Sequence, residues 1–248
     1  MKKQQLVLTM NSSAGLVNFL KRFAPVSNSL LLEFEDGNIK AKTHTPERSV
    51  VKSSKTSLSE VFDSSGTESI EKTLFGVYSV DKLIKSFSHF GDSPVEFILE
   101  CEKTDEGWVG ISIILKNETL EINFQCASLR LFTHITDEMM SKIADSSGAE
   151  NSFVMAKESQ ARINSLSGID GDQKLVTIEA KSGTAFARGK SFNLTLVPSK
   201  DDADVSISVY KSQFSFLDKE DMTVYMNEDR LIFYSLETDT KMIIGKAD

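Results

Sequence analysis

The chain of 248 residues is 40% apolar and 26% charged, a globular composition with room for two ordinary domains. No run approaches the roughly 18–20 apolar residues of a membrane span. The formal net charge of −8 argues, taken alone, against nucleic-acid binding, because phosphate contacts draw on Lys and Arg.

The start, Met1-Lys2-Lys3-Gln4-Gln5, is basic, but the apolar run after it is too short for a signal-peptide core, so a cytoplasmic location is expected. Gln5–Met10 reads as a strand. Ser12–Ala24 has helical period, with Leu16, Leu20 and Phe23 on one face and Asn11 or Ser12 as N-cap. Ser29–Phe34 and Asn38–Thr43 flank Asp36-Gly37, a hairpin signal because both residue types tolerate positive φ. The stretch Leu74–Val80 reads as a strand leading into a helix over Val80–Phe90, which gathers Leu83, Ile84 and Phe87 and has Ser79 as its cap. Val95–Cys101, Trp108–Leu115 and Thr119–Cys126 are strand-like, with Asn117 in the turn between the last two. Thr136–Asn151, charged and containing Ser-Ser-Gly, reads as a linker with one helical turn around Met139–Ile143.

The second half repeats the style. A helix over Lys157–Leu166 precedes strands at Lys174–Ala180, Thr184–Arg188, Ser191–Val197 and Val205–Tyr210. A fourth helix is predicted over Tyr210–Lys219, with Phe214 and Leu217 together, and strands follow at Met222–Met226, Arg230–Leu236 and Lys241–Gly245. The two halves align as copies of one β-α-β-β-β-α-β-β-β theme, which predicts an α+β protein of two similar domains. The expected boundaries are residues 1–135, a connector 136–151, and 152–248.

Charge is unevenly shared. The four predicted helices carry eight basic and three acidic side chains, a surplus of five, so the remainder must hold a net charge of −13 to reach −8. Ordinary solvated lysines explain one such helix easily and four of four, in an acidic chain, much less well. No motif assembles a nucleophile with a base, and His44, His89 and His134 are widely spaced. Asp170-Gly171-Asp172 and Asp201-Asp202-Ala203-Asp204 lack calcium-loop spacing and read as turns. Cys101 and Cys126 form no paired motif and read as buried strand cysteines. No catalytic residue, metal or cofactor is expected.

The stretches Leu16–Thr43, Leu74–Leu99 and Asn193–Lys246, together with Ala127–Ala144, resemble the trimeric DNA sliding clamps. That family includes proliferating cell nuclear antigen and the clamps of T-even-type bacteriophages, and the compact size and long connector look closer to the phage proteins. The resemblance implies a DNA clamp fold in which each domain packs two helices on antiparallel sheets, with six domains in a homotrimeric ring. Twelve helices at about 10 Å each would line an opening on the order of 28 Å, enough for a duplex. It further implies a non-enzymatic processivity factor that encircles double-stranded DNA, tethers a DNA polymerase and is placed by an ATP-dependent clamp loader, in the host cytoplasm if the source is viral. Lys21, Arg22, Lys82, Lys85, Lys157, Arg162 and Lys211 become candidates for the DNA-facing lining. Leu131, Phe132, Ile135, Met139, Met140, Ile243 and Ile244 become candidates for a partner-binding surface near the connector. Thr119–Cys126 and Ser191–Val197 occupy the positions of the subunit edges. The alternatives weighed against this reading are a two-domain β-rich phage structural or assembly protein and, third, an enzyme whose site is not legible in one sequence.

Overall fold

A computed structural model describes residues 2–63, 67, 70–105, 107–133, 135–171, 173–201 and 203–247. His134, Asp172 and Asp202 lie outside the described residues. In chain order the elements are β1 Lys3–Met10, α1 Ala14–Lys21, β2 Leu30–Glu35, β3 Asn38–His44, β4 Val50–Ser57, α2 Leu58–Val61, β5 Thr73–Val77, α3 Val80–Phe87, β6 Val95–Thr104, β7 Gly107–Lys116 and β8 Glu121–Gln125. Then come α4 Asp137–Ile143, β9 Asn151–Met155, α5 Lys157–Ser167, β10 Leu175–Lys181, β11 Thr184–Arg188, β12 Asn193–Pro198, β13 Val205–Tyr210, β14 Met222–Met226, β15 Arg230–Ser235 and β16 Asp239–Gly245.

The chain divides into two compact units. Unit 1 comprises Met1–Thr43 and Ser54–His134, and unit 2 comprises His44–Ser53 and Ile135–Asp248. Residues 44–53, which the sequence reading assigns to the first domain, pack with the second: Val50 is part of its core, and Gly245 N donates to Ser49 O at 2.9 Å.

The internal duplication has a simple form. In unit 1, β1 pairs β6, β6 pairs β7, β7 pairs β8, and β2 pairs both β3 and β5. Adding eight to each strand number gives pairings of unit 2: β9 with β14, β14 with β15, β15 with β16, and β10 with both β11 and β13. Both hairpins opening these sets use a two-residue turn with positive φ at each position, Asp36 and Gly37 at 51° and 69°, Ser182 and Gly183 at 49° and 72°. That backbone matches the right-handed twist of the flanking strands, and glycine meets no Cβ penalty there.

Each unit has its own core. Alternation along β6 turns Val95, Phe97, Leu99 and Cys101 inward, where Phe97 meets Phe34, Phe62 and Phe75 in a cluster of tilted rings. Helices α1 and α3 cover this core with Leu16, Phe19 and Leu20 and with Val80, Leu83 and Phe87. In unit 2 the core is built from Phe153, Ile163, Ile178, Phe214 and Phe233 with their neighbours.

Three elements escape the sequence reading: β4, β9 and the single turn α2. Two features also differ in kind. The N-cap of α1 is Ser13, whose side chain makes no capping bond, while Ser12 Oγ accepts from Ala14 N at 3.2 Å. The predicted fourth helix is a 3-10 segment over Lys211–Phe216. There Ser215 Oγ donates to Ser212 O at 2.6 Å, competing for the carbonyl an α-helix would use, and Gln213 Oε1 accepts from Tyr210 N at 2.9 Å, holding the tight first turn. Among the described residues no helix is long and apolar enough to cross a membrane.

Candidate nucleic-acid interface

In unit 1, α1 and α3 pack against each other with their apolar sides inward, leaving Asn18 and Lys21 exposed on one and Asp81, Lys82 and Lys85 on the other. Lys21 and Lys85 sit in the last turns of their helices, where a cation is favoured by the carbonyl end of the helix dipole. The start of α3 is fixed by Ser79 Oγ, which accepts from Lys82 N at 3.4 Å. Beyond α3 the row Lys82, Lys85 continues at helical spacing to His89, also exposed. The sequence reading passes over that histidine for its isolation, although its spacing of seven from Lys82 is a signal for the same face. Arg22 is half-buried and turned toward β4, its Nη1 donating to Ser54 Oγ at 3.1 Å.

In unit 2, Lys157 and Arg162 are exposed on α5, with Glu158 beside them. The N-cap of α5 is Ala156, which offers no side-chain oxygen. The missing acceptor comes from elsewhere: Asp221 Oδ1 accepts from Lys157 N at 2.9 Å. A carboxylate at this end also offsets the unfavourable placement of Lys157 on the positive pole of the helix. Lys211 differs from the others. Its Nζ donates to Ser167 O at 3.2 Å and Gly171 O at 2.9 Å, so it caps the carbonyl end of α5.

The apolar candidates separate. Leu131 and Phe132 belong to unit 1. Leu131 is 63% exposed, whereas the Phe132 ring is packed over Gly76, where an added Cβ would come within 2.5 Å of it. In unit 2, Ile135, Met140 and Ile243 join Ala144, Ile232, Tyr225 and Tyr234 in a small cluster beneath α4. Thr136 Oγ1 caps that helix by accepting from Met139 N at 3.1 Å, and the Tyr234 hydroxyl donates to Ala144 O at its far end. Met139 stands 55% exposed beside the cluster. Ile244 is a correction: alternation along β16 sends it to the main core of unit 2, fully buried, on the opposite face from Ile243.

Strand β8 is bonded to β7 and β12 to β11, and among the described residues neither is paired to a strand along its second edge. Both edges keep half-buried apolar side chains, Ile122 and Phe124 on one and Leu194, Leu196 and Val197 on the other. Burial pushes the Cys101 thiol up to about 11 and the Cys126 thiol up to about 12, and both are free cysteines. Among the described residues no group of three or more His, Cys, Asp or Glu side chains is placed to hold a metal ion.

No protein-family model and no curated protein sequence matches the chain. Solved structures do. Proliferating cellular nuclear antigen from Entamoeba histolytica superposes with a TM-score of 0.71 at 13% identity, covering 98% of both chains. A proliferating cell nuclear antigen of A. fulgidus, solved with the C-terminal region of FEN-1 bound to it, gives 0.63 at 11% identity over 97% of both chains. The H. pylori beta clamp gives 0.65 at 13% identity, covering 98% of this chain and 63% of that one. The fold is that of the DNA sliding clamps.

Proposed function

We propose that this chain is one subunit of a closed homotrimeric ring that encircles double-stranded DNA and tethers a DNA polymerase to it, without chemistry of its own. The observation that carries the proposal is the placement of exposed cations on helices in both units of an acidic chain: Lys21, Lys82 and Lys85 in the first, Lys157 and Arg162 in the second. Side chains of this kind attract phosphates without reading bases, as sliding along any sequence requires. The sheets, holding the negative surplus, repel DNA from the remaining surface.

Ring closure in this reading joins the open edge of β8 on one subunit to that of β12 on the next. The strands are five and six residues long, both edges have apolar side chains left half-covered, and unlike edges pair head to tail, the geometry that generates rings. Partner peptides, from a polymerase or from the ATP-dependent loader that opens the ring, dock on the apolar surface around Met139 and the cluster beneath α4. Holding DNA then depends on topology, since escape requires an interface to open. The test is retention after loading: a ring stays on closed circular DNA and slides off linear DNA, and its native mass is three chains. A monomeric mass, or equal loss from both DNAs, overturns the proposal.

A further inference from the structure

We infer that Asp170 is a positioning residue that sets the subunit-facing edge of β12 from the end of the DNA-facing helix α5; the inference rests on the reading of β12 as a subunit edge. Asp170 lies in the loop just past α5, and its two carboxylate oxygens are both engaged by the hairpin loop that starts β12. Oδ2 accepts from Lys190 N at 2.8 Å and Oδ1 from Ser191 N at 2.7 Å. Two consecutive backbone amides on one carboxylate fix the plane of that loop as well as its position.

The approach is possible only over glycine. A Cβ on Gly189 would fall 2.1 Å from Asp170 Oδ2 and 2.2 Å from the Phe192 ring. The other side of the Asp170 loop is held by Lys211, which grips the carbonyls of Ser167 and Gly171 from the 3-10 segment. Helix end, 3-10 segment and hairpin loop are thereby one block, and the first residues of β12 inherit their register from it. Register is what strand addition demands, because a slip of one residue exchanges the two faces of the added strand. Lys211 is therefore assigned to the subunit edge and not to the DNA.

The experiment compares wild type, D170A, D170N and K211M by sedimentation over a dilution series, with hydrogen exchange at the Lys190 and Ser191 amides. The expected result is dissociation of D170A trimers at a protein concentration about tenfold higher than wild type, the effect of removing one charge-assisted hydrogen-bonding group that shapes an interface. D170N and K211M shift in the same direction, exchange at both amides accelerates in the Asp170 variants, and the thermal midpoint of the separated subunit stays close to wild type. Wild-type dissociation in all three variants overturns the inference, as does a D170A chain that fails to fold while D170N and K211M dissociate like wild type. A wild-type chain that is monomeric throughout removes the ring itself; a trimeric wild type with unaltered variants removes only the role of Asp170.

Discussion

Lys52 Nζ lies 2.7 Å from Asp218 Oδ1 inside unit 2, where the lysine side chain keeps 1% of its surface and the aspartate 13%. The same ammonium donates to Phe216 O at 2.8 Å, so this cation is tied to both the side chain and the backbone at the end of the 3-10 segment. Asp218→Ala leaves the buried ammonium without its carboxylate and is expected to cost about 3–5 kcal/mol in urea unfolding. A cost under about 1 kcal/mol, the range of exposed pairs, would mean that water reaches the site.

Replacing Lys21, Lys82 and Lys85 together by alanine is expected to weaken association with duplex DNA and to lower the slope of log affinity against log salt by about 0.9 for each phosphate no longer neutralised. Lys211→Met, measured above the concentration at which the assembly forms, leaves that slope unchanged because its ammonium is spent on the carbonyls of Ser167 and Gly171. Anisotropy titrations at several salt concentrations separate the two. An equal fall in slope for Lys211→Met returns that lysine to the DNA.

Adjacent methionines on α4 differ in burial. Met140 is 5% exposed beneath the helix, so Met140→Ala is expected to lose about 2–5 kcal/mol of stability. Met139→Ala changes stability by less than about 0.5 kcal/mol and weakens binding of a polymerase-derived peptide. Thermal melts and peptide titrations on both variants check the split, and a Met139→Ala chain with unaltered peptide affinity places the docking surface elsewhere.

Acid sensitivity has a local source. Hydrogen bonding to Lys40 lowers the Glu35 carboxyl from 4.5 to about 2, with Lys72 adding to it. A depressed folded-state value stabilises the protein above the unfolded value and loses that contribution as pH falls from about 4.5 toward 2. Glu35→Gln is expected to cost about 1–2 kcal/mol at pH 7 after allowance for solvent screening, with the difference vanishing near pH 2. Urea unfolding of both proteins across pH measures it; a gap that persists at pH 2 points to altered packing instead.

Thiol chemistry offers a probe of integrity. With burial holding Cys101 and Cys126 at about 11 and 12, both stay protonated at neutral pH. Iodoacetamide is expected to label neither in the folded protein and both in denaturant, as counted by intact mass. Rapid native labelling of Cys126 would show that β8 opens away from β7.

Where the sequence carries a local signal, the structure follows it. Asp36-Gly37 announces a turn that only positive φ can make, and Ser79 announces the start of α3. Strand β4 carries no such mark: it reads VVKSSKTS, with a lysine at an inward position whose partner, Asp218, lies far along the chain. The site divides in the same way. Exposed helical cations follow from period and charge, whereas the diversion of Lys211 depends on carbonyls some 40 residues earlier in the chain. Ile243 and Ile244 are indistinguishable by composition, and only the register of β16 sends one to the connector and the other to the core.

Helix α5 begins with a cation at the pole that repels it, and the acid that reconciles this belongs to a loop 64 residues away. The aim of Lys157 is consequently under remote control. Any change that displaces Asp221 takes the acceptor from Lys157 N and loosens the first turn of α5 without altering a residue of the helix, so in the proposed ring variation in that loop would shift a lining charge while the lysine itself is retained.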